Sequence, residues 1–268
     1  MKTEHLSKLL NWFEGKNGVL VALSGGVDSA LVAYSAYAKL GKSAIAVTAD
    51  YKTLAQEELE YAKKISSEIG IKHIVIEYNE LANESFAKND NNRCFYCRSE
   101  LSQHLLQVAK EFESDMIVDG TNIDDLGDYR PGVSALRQNG IRSPLAETRF
   151  SKKMVRETAK NVGLSVYDKP SNSCLASRIP WGQSVTAERL ARIEIGEKIV
   201  KQLTGAKQVR VRDMDGIAKI EVGIDELSLL KNNLVLQKVR KQLKLISFDD
   251  VLVDPEGYRP GKINVITN

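Results

Sequence analysis

Apolar positions recur along this chain in two alternating rhythms. Leu6, Leu9, Leu10 and Phe13 follow i, i+3, i+4, i+7 spacing, which predicts an opening amphipathic helix. Residues 19–23 (VLVAL) are a short continuous apolar run, the pattern of a strand covered on both faces of a parallel sheet. After a glycine turn, residues 30–40 predict a helix closed by Gly41, and 44–48 predict a second strand. Leu59, Ala62, Ile65 and Ile69 mark the next helix, with Gly70 at its expected end. A strand over 73–78, a helix marked by Leu101, Leu105, Val108 and Phe112, and a strand over 116–118 come next. A helix over 151–162 completes the series, with Ser151 its expected N-cap and Gly163 its stop.

Repeated strand–helix units predict an α/β fold with a doubly wound, mainly parallel sheet, whose ligands sit at the carboxyl ends of the strands. At 168–186 (DKPSNSCLASRIPWGQSVT) the composition shifts to Ser, Pro and Gly, which reads as a linker that holds Cys174. Beyond it the pattern predicts helix 188–203, strand 208–212, tight turn 213–216, strand 217–222, helix 225–243 and strand 247–253. That is a small α+β domain, so the expected domains are 1–182 and 183–268. Tyr129-Arg130-Pro131-Gly132 returns as Tyr258-Arg259-Pro260-Gly261 with no fixed period behind it, so two similar turns are expected rather than a repeat fold.

Composition narrows the class. A length of 268 residues suits one large domain or two ordinary ones, and 43% hydrophobic with 27% charged residues excludes a disordered chain. Lys and Arg number 38 against 35 Asp and Glu, a net charge of +3, without the clustered basic excess of a dedicated nucleic-acid binder. No apolar run approaches the ~18 residues that span a bilayer. The first residues, MKTEHLSKLLNWFEG, carry charges throughout and lack a signal-peptide core. A soluble, cytoplasmic protein without membrane or nucleic-acid partners is expected.

Candidate chemistry begins at Ser24-Gly25-Gly26-Val27-Asp28-Ser29, between the first strand and its helix. Two glycines allow a sharp turn and close approach of backbone amides to a ligand, hydroxyls at Ser24 and Ser29 flank them, and the helix points its positive end at the turn. That is a cradle for phosphate, where a bare Gly-Gly would be an ordinary βα turn. The segment resembles the S-G-G-x-D-S signature of the PP-loop ATP pyrophosphatases, an adenine nucleotide alpha hydrolase-like superfamily. The resemblance implies ATP cleavage between the α and β phosphates, with activation of a substrate oxygen as an adenylate. Asp28 is then a partner for Mg²⁺, which takes carboxylate and phosphate oxygens. Asp119, Gly120 and Thr121, after the fourth strand, fall where the resemblance puts nucleotide contacts; a capped turn is the alternative for Asp119.

Three cysteines and no export signal argue against a disulfide framework. Cys94 and Cys97 form a C-x-x-C, Cys174 stands apart, and His5, His73 and His104 show no zinc-like spacing to them. Buried hydrophobic cysteines and a thioredoxin-like pair are two readings. A third is a 4Fe–4S cube held by three thiolates, whose fourth iron lacks a protein ligand and can carry an extra sulfide. In a PP-loop protein the third reading joins ATP activation to a sulfur source.

A wider set of residues carries a closer resemblance. Asp119-Gly120, the block 128–132, Cys174-Leu175-Ala176-Ser177-Arg178-Ile179-Pro180 with Gly182, Val209-Arg210-Val211-Arg212 and Ile217-Ala218-Lys219-Ile220-Glu221 together resemble the LarE family, essentially end to end. The resemblance implies an ATP-dependent sulfur transferase of nickel-pincer cofactor biosynthesis. Its substrate would be pyridinium-3,5-biscarboxylic acid mononucleotide, whose carboxylates become thiocarboxylates, and the protein would be a homo-oligomer fed by sulfide or another sulfur donor. Some members carry only the cysteine matching Cys174 and surrender its sulfur; Cys94 and Cys97 align this chain with the three-cysteine, cluster-bearing subtype. Arg210 and Arg212 lie two apart on a strand, so both guanidinium groups project from one face and suit a phosphate or carboxylate, unless that face is merely solvated. Arg178, four residues after Cys174, is a further anion contact or else a surface salt bridge. Glu197 and Arg259 match family positions in the same pocket. A PP-loop tRNA thiolase is the rival reading, and a nucleotide-binding regulator without chemistry is another.

Overall fold

A computed structural model describes residues 2–127 and 131–259. Its elements are α1 (Lys2–Trp12), β1 (Val19–Ala22), α2 (Val27–Leu40), β2 (Ala44–Asp50), α3 (Gln56–Ile69), β3 (Lys72–Glu77), α4 (Glu84–Ala87), α5 (Arg93–Glu111), β4 (Met116–Val118), α6 (Pro131–Gln138), α7 (Pro144–Glu147), α8 (Lys152–Asn161), α9 (Ala187–Thr204), β5 (Val209–Met214), β6 (Ile217–Val222), α10 (Asn233–Leu245) and β7 (Asp250–Val253). They form two compact units. One holds the described chain up to Glu80 together with Asn92–Ser171; the other holds Leu81–Asn91 together with the described chain from Asn172 onward.

The first unit is built on a parallel sheet in the order β3-β2-β1-β4. Alternate side chains of a strand face opposite ways, and β1 feeds two cores. Val19 and Val21 enter one with Leu31, Val32, Phe150 and Val155, while Leu20 enters another with Ile117, Leu101 and Leu105. This is why the strands read as unbroken apolar runs. Gly70 ends α3 in the left-handed region at φ 80°, and Ser151 caps α8 by accepting from the Met154 amide, both at the positions the sequence marks. After β1 the chain builds β2 and β3 on one side and then crosses to β4 on the other. The order therefore reverses between β1 and β4, the switch point at which open α/β sheets bind ligands. The loops leaving β1 and β4 side by side are 23–26 and 119–122.

The second unit has a sheet ordered β5-β6-β7, antiparallel between β5 and β6 and parallel between β6 and β7. Asp215 and Gly216 both have positive φ (53° and 91°), the requirement of a two-residue primed hairpin turn, and they pair Met214 with Ile217. α9 packs on β5 through Gly196, where an added Cβ would stand 3.2 Å from Leu243 and 3.4 Å from Val211. The expected helix 225–243 is two elements, a 3-10 segment Ile224–Leu230 and α10, because Asn232 caps a new helix by accepting from the Leu234 and Val235 amides.

Two organisational expectations change. The units divide at 171/172 rather than 182/183, and 81–91 joins the second unit. Asn89, fully buried, donates to the Pro180 and Gln183 carbonyls at 2.8 and 2.7 Å, and the Gly182 amide returns a bond to the Asn89 carbonyl. The stretch read as a linker is packed: Leu175, Ala176 and Ile179 are buried and Leu175–Arg178 is a 3-10 turn. Tyr129, Arg130, Pro260 and Gly261 of the recurring Tyr-Arg-Pro-Gly sequence, and Asp128 before it, lie outside the described residues. Truncating Leu175 tests the packed reading. Leu175→Ala should cost about 2–5 kcal/mol in urea unfolding, as for a core leucine; a cost below about 0.5 kcal/mol, typical of an exposed residue, would restore the linker.

Candidate functional site

In the first unit, the loop after β1 is fixed by contacts on every side. Gly25 has φ +75°, and a Cβ there would lie 2.3 Å from the Glu58 carbonyl, so only glycine fits. The Ser29 hydroxyl receives the Ser24 amide (3.1 Å), meets the Ser24 hydroxyl (3.1 Å) and donates to the Gly26 carbonyl (3.1 Å). Helix α2 begins at Val27 with Gly26 as its cap, so no side chain covers the first amides of that helix. The neighbouring loop presses on it: a Cβ on Gly120 would stand 2.7 Å from the Ser29 nitrogen. Ser24, Gly25, Gly26, Ser29 and Gly120 are thus one construction.

Asp119 and Thr121, on either side of Gly120, are hydrogen-bonded to each other. Asp119 is buried and accepts from the Thr121 amide (3.2 Å), the Thr121 hydroxyl (2.5 Å) and the Ser143 hydroxyl (2.7 Å). Burial pushes its carboxyl up, and these donors offset part of the cost. Its oxygens are turned to the protein, which is the capped-turn alternative. Asp28 accepts from Asn122 Nδ2 at 3.0 Å and pairs with the Lys152 ammonium. Each of its oxygens takes one of these contacts and keeps a second lone pair, so a magnesium ion bound there would share the carboxylate with Lys152. Sequence reading missed Asn122, Lys152 and Lys169. Lys169 donates to the Gly25 carbonyl (2.9 Å) and to Glu58 Oε2 (2.6 Å).

Cys94 and Cys97 occupy the first turn of α5, one helical turn apart and so on one face, with Cys94 exposed and Cys97 buried. The expected helix at 101–112 begins at Arg93 and takes in the C-x-x-C. Gly132 of α6 allows close approach beneath it, since a Cβ there would lie 3.0 Å from Arg98 Cγ and 3.3 Å from the Cys94 carbonyl. Cys174 belongs to the second unit, half-buried at the head of the Leu175–Arg178 turn. Among the described residues no three His, Cys, Asp or Glu side chains gather as a metal ion would require.

Around Cys174 the second unit buries a set of charges. Arg178 has no exposed surface, and all three of its nitrogens donate. Nε and Nη2 hold Glu197 (2.8 and 3.1 Å), Nη1 holds the Ser173 and Cys174 carbonyls (2.6 and 3.0 Å), and Nη2 reaches Asn172 Oδ1 (2.9 Å). It is neither a surface salt bridge nor, in this arrangement, a free anion contact; it is the clamp of the Cys174 turn. Arg210 and Arg212 do share one strand face, and that face is buried rather than solvated. Arg212 pairs with Glu221 (Nη2 at 2.8 Å) and donates to the Ser177 carbonyl (2.7 Å). Arg210 lies over the Tyr258 ring with its centroid 5.1 Å away. Burial and the charge of Arg178 push its pKa down to about 10, so it is still a cation at neutral pH. Arg259, next to Tyr258, is exposed.

Known proteins place the chain. The family model of the queuosine biosynthesis protein QueC matches residues 18–94. An uncharacterized protein of Synechocystis sp. is 40% identical over 98% of both chains. The pyridinium-3,5-bisthiocarboxylic acid mononucleotide synthase of Lactiplantibacillus plantarum is 32% identical over 92% of this chain and 88% of its own. The chain belongs to the LarE family. It shares with that family the PP-loop fold and the class of sulfurtransferase. The chain is also similar, more distantly, to the tRNA-specific 2-thiouridylase MnmA of Ruegeria sp., 28% identical over 58% of this chain and 50% of that one. No helix among the described residues is long and apolar enough to cross a membrane.

The buried pair Arg178–Glu197 makes a pH prediction. Burial alone would raise the Glu197 carboxyl, but the charge and hydrogen bonds of Arg178, with Arg210 and the Val211 amide, hold it below the usual range. Its stabilisation is therefore complete above the ordinary glutamate value of about 4.3 and is lost as pH falls toward the lowered folded value. Melting temperature should drop between about pH 5 and 3, and Glu197→Gln should flatten that drop; an identical acid limb in the variant would contradict the pairing.

Proposed function

We propose that this LarE-family chain is an ATP-dependent sulfur transferase acting on the carboxylates of pyridinium-3,5-biscarboxylic acid mononucleotide. The reading is carried by the loop 24–29 at the β1/β4 switch point, whose uncapped helix amides suit a polyphosphate. Carboxylate oxygen is a poor leaving group, and the nucleotide solves this. A substrate carboxylate oxygen attacks the α-phosphorus, the α–β bridge breaks and pyrophosphate leaves, giving an acyl adenylate. A sulfur nucleophile then forms a bond to the acyl carbon as the bond to AMP oxygen breaks, and a thiocarboxylate results. No step here runs through magnesium at Asp28.

Cys94, Cys97 and Cys174 are assigned as the sulfur-bearing residues. Thiolates are the soft ligands that iron–sulfur clusters take; Cys94 and Cys97 lie one turn apart on α5, and Cys174 heads the turn that Arg178 clamps. A 4Fe–4S cluster, when bound, would supply sulfide as the nucleophile. For the substrate's phosphate we assign the second unit's buried cations. Arg210 and Arg212 lie on one buried strand face, where a pair of guanidinium groups suits a phosphate, and Arg178 adds its charge beside them while clamping the Cys174 turn. Arg259 borders Tyr258 at the exposed end of this group. Thiolation of tRNA is the weaker reading, because the MnmA match covers 58% of this chain against 92% for the synthase.

Two variants test the assignment. Cys94→Ala, purified anaerobically, should lose iron and acid-labile sulfide and all sulfur transfer while binding ATP as the wild type does. Full iron occupancy in that variant would remove Cys94 from the donor set. Arg210→Gln should weaken substrate binding by about 10–100-fold, the loss of one or two hydrogen bonds to a charged group, and leave ATP affinity alone; unchanged substrate affinity would move the phosphate elsewhere.

A further inference from the structure

The ammonium of Lys169 lies nearly buried against the nucleotide loop, in the segment that precedes the second unit. It donates to the Gly25 carbonyl at 2.9 Å and to Glu58 Oε2 at 2.6 Å, and stands 3.8 Å from the Tyr61 ring centroid. Its own backbone is held in turn, since Arg156 donates to the Tyr167 and Lys169 carbonyls at 2.9 and 2.7 Å.

A trans peptide points its C=O and its N–H in opposite directions. Fixing the Gly25 carbonyl on Lys169 therefore turns the Gly26 N–H to the far side of that peptide. Ser29 does the same for the next one, because its hydroxyl donates to the Gly26 carbonyl and so turns the Val27 N–H outward. Two successive amides at the head of α2 are aimed by two side chains, one of them far away in sequence. Charge adds a second effect. Glu58 packs directly against the loop, its own carbonyl filling the space a Cβ on Gly25 would need. Without Lys169 its carboxylate would be a buried anion beside a site meant for a polyanion.

We propose that Lys169 is a positioning residue of the nucleotide loop: it orients the Gly25–Gly26 peptide for phosphate and cancels the charge of Glu58. This rests on the reading of residues 24–29 as an ATP site. Calorimetric titration of the full-length protein with MgATP, across wild type, Lys169→Met, Glu58→Gln and the double variant, tests it. Lys169→Met should bind about tenfold or more weakly, the scale of a lost charged hydrogen bond. The double variant, which removes both members of the buried ion pair and so folds even if the single does not, should bind several-fold more tightly than Lys169→Met while remaining weaker than wild type. Wild-type affinity in Lys169→Met would overturn the positioning role. A double variant no tighter than Lys169→Met would overturn the charge role. A wild type that binds no MgATP would instead overturn the ATP site itself.

Discussion

The peptide at Gly25 constrains the first unit more than any other position. Its left-handed backbone and the absence of a Cβ let the loop lie against the Glu58 carbonyl, at a distance no side chain would allow. From that contact the rest follows. The turn leads directly from β1 into α2, leaves the first amides of α2 without a side-chain cap, and receives Gly120 from the adjacent strand end. Parallel pairing of β1 with β4, Val21 opposite Val118, brings these two loops together. The sheet's topology selects the place, and the glycines make it usable.

The second unit obeys a different rule. It buries arginines, which cost heavily unless each finds its acceptors. Arg178 does so by drawing on Glu197 of α9, the Asn172 side chain and the Ser173 and Cys174 carbonyls, so the charge this unit buries also shapes the Cys174 turn. Arg212 repeats the pattern with Glu221 across the β5–β6 pair and reaches back to Ser177. Within this unit the Cys174 turn is thus held by a buried guanidinium and its carboxylate partner.

The elements most legible in the sequence were those whose signal is local. Val19 to Ala22 read as a strand because both faces are covered, and Gly70 and Ser151 announced helix ends by their own chemistry. Start points were harder: α5 opens with Arg93, Cys94 and Arg98, which hide the apolar rhythm that begins at Leu101. Residues 168–186 read as a linker because they are rich in Ser, Pro and Gly, whereas Glu197 holds Arg178 and Asn89 holds the Pro180 and Gln183 carbonyls from elsewhere in the chain. The same limit hid Lys152, Asn122 and Lys169. Each acts on the 24–29 loop or on Asp28 from far away in sequence, and no local spacing encodes such a pairing. Arg210 and Arg212 were legible as a pair on one face, but not as a buried one, because Glu197 and Glu221 come from other elements.

The account turns on activation of a carboxylate by nucleotide before sulfur arrives. Exchange of labelled pyrophosphate into ATP measures that step alone, with no sulfur source present. It should appear when pyridinium-3,5-biscarboxylic acid mononucleotide is added and be absent without it. Exchange that ignores the carboxylated substrate, or none at all in a protein that binds both ligands, would contradict the account.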